Sequence, residues 1–218
     1  MRFLISLIIA YLIGSIPTAL LVGRAACGID LREHGSRNLG ATNALRVLGK
    51  KYGAVVLFID IIKGLAPVVL LPSLLGMRDA WATTEILIGA AAILGHVYSC
   101  WVNFRGGKGV ATTVGVFLGI ATIEMIILII LGVAVIGLSG YVSAGSLMGA
   151  LLLPILLYMF DQPAIVLFVG EVIALLVIYR HRANITRLIE GRELKFWESR
   201  ADDTPIPTLS SEPPRKPL

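Results

Sequence analysis

Long apolar stretches separated by short polar ones run through most of the chain. Phe3 to Gly23 carries no charge and is bounded by Arg2 and Arg24, which meets the ~20-residue requirement for a membrane-crossing helix. Gly53 to Pro72 is a second stretch, holding Asp60 and Lys63, and Ile86 to Phe104 is an uncharged third. Gly109 to Ile123 is apolar but short. Glu124 divides it from Met125 to Phe160, an uncharged block too long for one helix. Gly137 to Ser146 within that block is rich in glycine and serine, which break helices. A cut there predicts one span ending before Leu138 and another over Leu147 to Phe160. Pro163 to Tyr179, with Glu171 near its middle, is the last. Pro17 interrupts the first stretch and no small-x-small cleavage site precedes a mature domain, which favours a span over a cleaved leader.

Basic residues decide the topology, because Lys and Arg near span ends mark the cytoplasmic side. They gather between Arg24 and Lys51, at Arg105 and Lys108, and from Arg180 to Arg192. The connections at Arg78-Asp79 and Asp161-Gln162 are neutral or acidic. Keeping all three basic segments on one side requires an even number of spans between Lys108 and Arg180, so the short stretch after Lys108 must count as one. The prediction is an all-α polytopic membrane protein with seven transmembrane helices, N-terminus outside and C-terminus cytoplasmic. The membrane domain covers residues 1–198, and the Asp-, Pro- and Ser-rich residues 199–218 are expected to form a disordered cytoplasmic tail. No internal repeat supports an inverted-repeat transporter.

Composition agrees. Of 218 residues, 56% are hydrophobic and 15% charged, with a mean hydropathy of +0.85. Such a chain has too much apolar surface for one water-soluble core. Cys27 and Cys100 are too few for a disulfide framework. The net charge of +5 is concentrated on the predicted cytoplasmic face, where three polar segments meet.

The first segment, Gly35 to Arg46, brings Ser36, Asn38, Thr42, Asn43 and Arg46 together among small residues. Hydroxyls and amides supply neutral donors, and arginine supplies a planar fork for phosphate. The second contains Gly95-His96 and then Arg105-Gly106-Gly107-Lys108-Gly109-Val110-Ala111-Thr112. A glycine turn entering a helix presents free N–H groups to an anion, with Lys108 as a point charge and Thr112 one turn in. It is not a nucleotide P-loop, which needs Gly five residues before the Gly-Lys pair and Ser or Thr after the lysine; Val102 and Gly109 stand there. The third runs from Arg180 to Glu193 and puts His181, Asn184 and Arg187 three apart, on one helical face.

The bland readings are a solvated loop, a buried histidine satisfied by a backbone carbonyl (for His96), and an interfacial basic helix drawn to anionic lipid. Asp60 and Lys63, at i, i+3, read first as a structural ion pair. Helix-end exposure is expected for Glu124 and an interhelical hydrogen bond for Glu171. Ser143 and Ser146 are further candidates beside the site. The mixture suits phosphorylated substrates handled without a metal or cofactor, and no nucleic-acid partner is expected. An organophosphate transporter is the competing reading, and an anionic-lipid scaffold a third. A His-x4-Asp pair is absent after His34, His96 and His181.

In order and spacing, these three segments resemble the bacterial acyl-phosphate-dependent glycerol-3-phosphate acyltransferases. Gly14-Ser15-Ile16-Pro17 and Asp60-Ile61-Ile62-Lys63-Gly64 also fit, and the similarity runs from about Met1 to Trp197. Gly140 departs from the pattern, which often has a basic residue before Tyr141-Val142-Ser143.

The resemblance implies a seven-helix enzyme of the bacterial inner membrane, working at its cytoplasmic face in the first step of phospholipid synthesis. An acyl group passes from acyl phosphate to the 1-hydroxyl of glycerol 3-phosphate without an acyl-enzyme. It further implies Ser36, Asn43, Arg46, Lys108, His181 and Asn184 as catalytic residues. Asn38, Thr42, Gly106, Gly107, Gly109, Thr112, Ser143 and Ser146 would bind substrate, and Asp60, Lys63 and Glu193 would brace the site. Membrane lipid surrounds such an enzyme, and an acyl-phosphate-producing enzyme is a candidate partner.

Overall fold

Proline has no N–H to continue a helix, and Pro17 divides the first apolar stretch into α1 (Arg2–Ser15) and α2 (Thr18–Cys27). The computed structural model describes residues 1–76 and 81–198. The predicted Arg78-Asp79 connection and the tail over 199–218 lie outside the described residues. The other helices are α3 (Ala41–Leu48), α4 (Lys50–Leu74), α5 (Trp81–Val97), α6 (Val110–Ile120), α7 (Thr122–Ser139), α8 (Val142–Met159), α9 (Ala164–Arg180) and α10 (Arg182–Ile189). No strand occurs among the described residues.

Among the described residues, five helical segments are long and apolar enough to cross a membrane: Arg2–Cys27, Lys50–Leu74, Ala82–Val102, Thr122–Ser139 and Val142–Met159. The α9–α10 pair, bent by 56°, raises the number to six. The expected fourth span contracts to the 11 residues of α6, about 16 Å at 1.5 Å per residue, against a hydrocarbon core of about 30 Å. The third span also shifts: the helix ends at Val97, and a 3-10 turn at Cys100–Val102 follows. The long break expected from Gly137 to Ser146 shrinks to Gly140 and Tyr141, so Ser143 and Ser146 open α8.

Glycines let the helices approach backbone to backbone, as membrane packing favours. A Cβ at Gly115 of α6 would overlap the Ile61 carbonyl of α4, and one at Gly64 of α4 would overlap the Thr112 carbonyl. The short α6 is held this way in the interior, where Val116 and Phe117 are fully buried. Gly14 of α1 lies equally close to the Ala92 carbonyl of α5.

Two polar features sit within this packing. The Ile16 carbonyl, at the break before Pro17, accepts from Lys63 Nζ at 2.9 Å, and Lys63 pairs with Asp60 at 2.8 Å as expected. The glutamates exchange their expected roles. Glu124 is buried and accepts from Gln162 Nε2 at 2.6 Å, whereas Glu171 lies exposed on the outside of α9.

Candidate active site

The loop before α3 is shaped by one side chain. Asn43, 1% exposed, accepts from the Ser36 N–H at 2.8 Å and donates to the carbonyls of His34 at 3.1 Å and Leu31 at 3.3 Å. Gly35, at φ +59°, lies so close that a Cβ would meet this amide oxygen. Asn43 lines the cleft, but the catalytic role implied for it is corrected here to a structural one, because its amide is committed to its own loop. One turn on, Arg46 donates from Nη2 to the Leu194 carbonyl at 2.8 Å.

The glycine turn is built differently from the phosphate loop expected of it. The Gly106 N–H donates to the Val97 carbonyl and the Gly107 N–H to the His96 carbonyl, each at 3.1 Å, so both cap the end of α5. Their own carbonyls accept from Arg180 Nη2 at 3.3 and 3.1 Å. A Cβ on Gly107 would strike the His96 imidazole. Gly106 and Gly107 therefore shape the turn rather than present donors to a ligand. Thr112 is also corrected. It is fully buried against Gly64, and its hydroxyl has no partner. Lys108, Gly109, Val110 and Ala111 do face the cleft. The first N–H groups of a helix have no intrahelical acceptor, so the start of α6 presents the positive end of its dipole to the cleft. His96 departs from the carbonyl-bonded histidine expected; its Nδ1 lies 3.8 Å from Asp60 Oδ1.

The third segment supplies the opposite wall. His181 sits at the bend between α9 and α10 with Nδ1 2.8 Å from the Val177 carbonyl. A carbonyl only accepts, so Nδ1 carries the proton and the neutral ring keeps its lone pair on Nε2. Asn184 accepts from Lys108 Nζ at 2.5 Å and donates to Glu193 Oε1 at 2.5 Å. Glu193 also accepts from Ser143 Oγ at 2.8 Å and Arg187 Nε at 2.6 Å. Burial works against its charge, but the bonds from Asn184, Ser143 and Arg187 outweigh it and hold the carboxyl below its ordinary value. Lys108 moves the other way. Burial, opposed by Glu193 and reinforced by Arg187, Arg46 and Arg180, brings its ammonium down to about 8. Ser146 lines the cleft, although its hydroxyl bonds to the Val142 carbonyl at 2.9 Å.

These walls enclose a cleft of about 410 Å³. It gathers Ser36, Asn38, Thr42, Arg46, Asp60, Lys108, Gly109, Ser143, His181, Asn184 and Glu193 from the expected set. Arg180 and Arg187 line it too. Sequence reasoning put Arg180 among the topology-setting arginines and at the head of the third segment, but gave it no role in the site. Continuous with the cleft through Thr42, Leu57, Val110 and Val142 is an apolar hollow of about 500 Å³. It runs past Gly132, Gly145 and Gly149 to Met125 and Leu153.

Comparison with known proteins bears on this arrangement. Residues 4–191 match the model of the glycerol-3-phosphate acyltransferase family. A glycerol-3-phosphate acyltransferase of Fusobacterium nucleatum is 40% identical over 197 residues, 90% of this chain and 99% of its own length. One from Geobacter sulfurreducens is 43% identical over 188 residues, 86% and 94% of the two chains. The crystal structure of PlsY (YgiH), an integral membrane glycerol 3-phosphate acyltransferase, in its glycerol 3-phosphate form, matches with a TM-score of 0.83 at 38% identity. That match covers 89% of this chain and 96% of the other. The lysophosphatidic acid form gives 0.80 at 36%, covering 89% and 95%. With cleft, hollow and sequence all in agreement, this chain belongs to the glycerol-3-phosphate acyltransferase family of integral membrane enzymes.

Proposed function

We propose that the chain transfers a fatty acyl group from acyl phosphate to the 1-hydroxyl of glycerol 3-phosphate, yielding lysophosphatidic acid and inorganic phosphate. The observation that carries this reading is the junction of a basic cleft with an apolar hollow. A phosphate head and an acyl tail on one donor need such a junction. Arg46, Lys108, Arg180 and the start of α6 hold the two phosphates against their mutual repulsion. His181 Nε2 accepts from the acceptor hydroxyl and orients it. The hydroxyl oxygen attacks the acyl carbon, the bond from that carbon to the phosphate oxygen breaks, and the proton leaves on the released phosphate. Asn184 donates its second amide N–H to the oxyanion as it develops. Phosphate is already a good leaving group, so positioning and charge stabilisation account for the rate. Ser36, Asn38 and Thr42 complete the polar wall; Ser143 and Glu193 brace Asn184.

We infer that the cleft opens on the cytoplasmic side of the bacterial inner membrane, with the N-terminus outside. Lys108 and Arg180 line one cleft, so the chain that leaves at the first returns at the second after α6, α7, α8 and α9. Gly140, at the end of α7, accepts from the Phe196 N–H beside the cleft. On this reading α6 descends and α7 returns, which makes α6 a short seventh pass. A transporter would need a polar path at mid-membrane, but Lys63 and Asp60 pair with each other and Glu171 faces outward.

The test is product formation. Purified chain given palmitoyl phosphate and glycerol 3-phosphate is expected to release inorganic phosphate and form lysophosphatidic acid in equal amounts. Folded protein that forms no lysophosphatidic acid overturns the reading.

A further inference from the structure

We propose that Gly140 and Trp197 are positioning residues for phosphate binding, seating residues 193–198 as a strap that fixes Arg46 through the Leu194 carbonyl. This rests on the function proposed above.

Arginine loses much side-chain freedom when it is held toward an anion, and a fixed acceptor for one arm of the guanidinium lowers that cost. Glu193, in the same cleft, is already engaged by Ser143, Asn184 and Arg187. The Leu194 carbonyl, 2.8 Å from Arg46 Nη2, supplies an acceptor. Its position depends on how the strap is seated. The Phe196 N–H donates to the Gly140 carbonyl at 2.8 Å. Gly140 has φ +81°, a left-handed conformation suited to glycine. A Cβ there would lie 2.7 Å from Trp197 Cη2 and 3.0 Å from Lys195 Cγ. The bare backbone of Gly140 is therefore the seat on which the Trp197 ring rests.

The strap closes on itself as well. The Lys195 N–H donates to the Glu198 carboxylate at 2.9 Å, and the Glu198 N–H returns to the Lys195 carbonyl at 3.1 Å. Lys195 Nζ lies 5.5 Å from the Trp197 ring centre, and Phe196 meets Trp197 edge-on at 4.6 Å. Trp197 is 58% exposed, so it is an outer clasp and not a core residue. Its loss should spare the helices and release the carbonyl.

Trp197→Ala is expected to raise KM for glycerol 3-phosphate or for the acyl phosphate about tenfold while kcat stays within about twofold, the pattern of lost ground-state binding. Trp197→Phe, whose ring is shorter than the indole that reaches Gly140 through Cη2, should restore KM only in part. Gly140→Val should act in the same direction as Trp197→Ala. A second readout is independent of turnover. Inorganic phosphate should slow hydrogen exchange at the Phe196 amide in the wild type, because binding coupled to a strap is reciprocal, and should not in Arg46→Ala. Unchanged KM for both substrates in Trp197→Ala, or exchange at Phe196 indifferent to phosphate, overturns the proposal. Lysophosphatidic acid formed by the wild type in parallel tests the underlying function separately.

Discussion

Lys108 and Asn184 meet at 2.5 Å across the cleft, and Asn184 hands the contact on to Glu193 at the same distance. The ammonium is thus held by a neutral amide and not by the carboxylate itself. A direct ion pair would neutralise the charge that a phosphate needs. The relay keeps Lys108 oriented while leaving its charge available.

That arrangement makes activity sensitive to alkali. Lys108 is lowered to about 8, so it is charged below that pH and loses its proton as pH rises through it. The kcat/KM profile, which reports the free enzyme, should fall above about pH 8, by roughly tenfold per pH unit at the limit. Lys108→Arg should remove that limb, since arginine stays protonated, while lowering the plateau. A profile of Lys108→Arg that still falls at the same pH would assign the limb to another group. Lys108→Met should abolish turnover yet raise Tm, because the depressed value means that folding disfavours the ammonium.

Glu193 predicts the acid side of stability. Its folded value lies below the ordinary 4.5, so its contribution is complete above 4.5 and is lost as pH falls through the folded value. Wild-type Tm should therefore decline on acidification below about 4.5. Glu193→Gln should start lower at pH 7 and show a flatter decline. Thermal unfolding in detergent across pH 3–7 checks both expectations.

The apolar hollow predicts chain-length selectivity. Gly149 lines it, and a Cβ added there has nothing within 4 Å. Gly149→Leu should fill this space and shift the preference to shorter acyl phosphates. The ratio of kcat/KM for ten- and sixteen-carbon donors should rise about tenfold or more, the scale of ~1–3 kcal/mol for a methylene misfit in an apolar pocket. Competition assays with mixed donors measure that ratio directly.

Arg46 and Thr112 make a contrasting pair. Arg46→Ala should cost about a hundredfold in turnover, near the upper end of the roughly 1.5–3 kcal/mol of a hydrogen bond to a charged group. Thr112→Val should keep activity within about twofold, because its buried hydroxyl has no hydrogen-bond partner and the residue does not line the cleft. Steady-state rates of the two variants in one preparation separate the cleft wall from the packing behind it.

Much of this was readable in advance. Apolar runs marked the helices, and clustered arginines marked the face on which Arg46, Lys108, His181 and Asn184 meet. The rotational setting of the membrane helices was not readable. They are apolar all round, so no polar stripe says which face turns inward, and Glu124 and Glu171 exchanged roles for that reason. Gly106 and Gly107 illustrate a second limit. A phosphate loop and a helix-capping turn need the same residues, and only the nearby end of α5 decides between them. Gly140 reads as a breaker, but that it seats Trp197 depends on residues over fifty positions away.

The shortness of α6 also sets the level at which the reaction occurs. The 18 residues of α7 rise about 27 Å and the 11 of α6 about 16 Å. If both start from the shared turn at Ala121, the mouth of α6 lies roughly 10 Å beneath Gly140. Glycerol 3-phosphate must then descend into a recess, to the depth at which the apolar hollow joins the cleft.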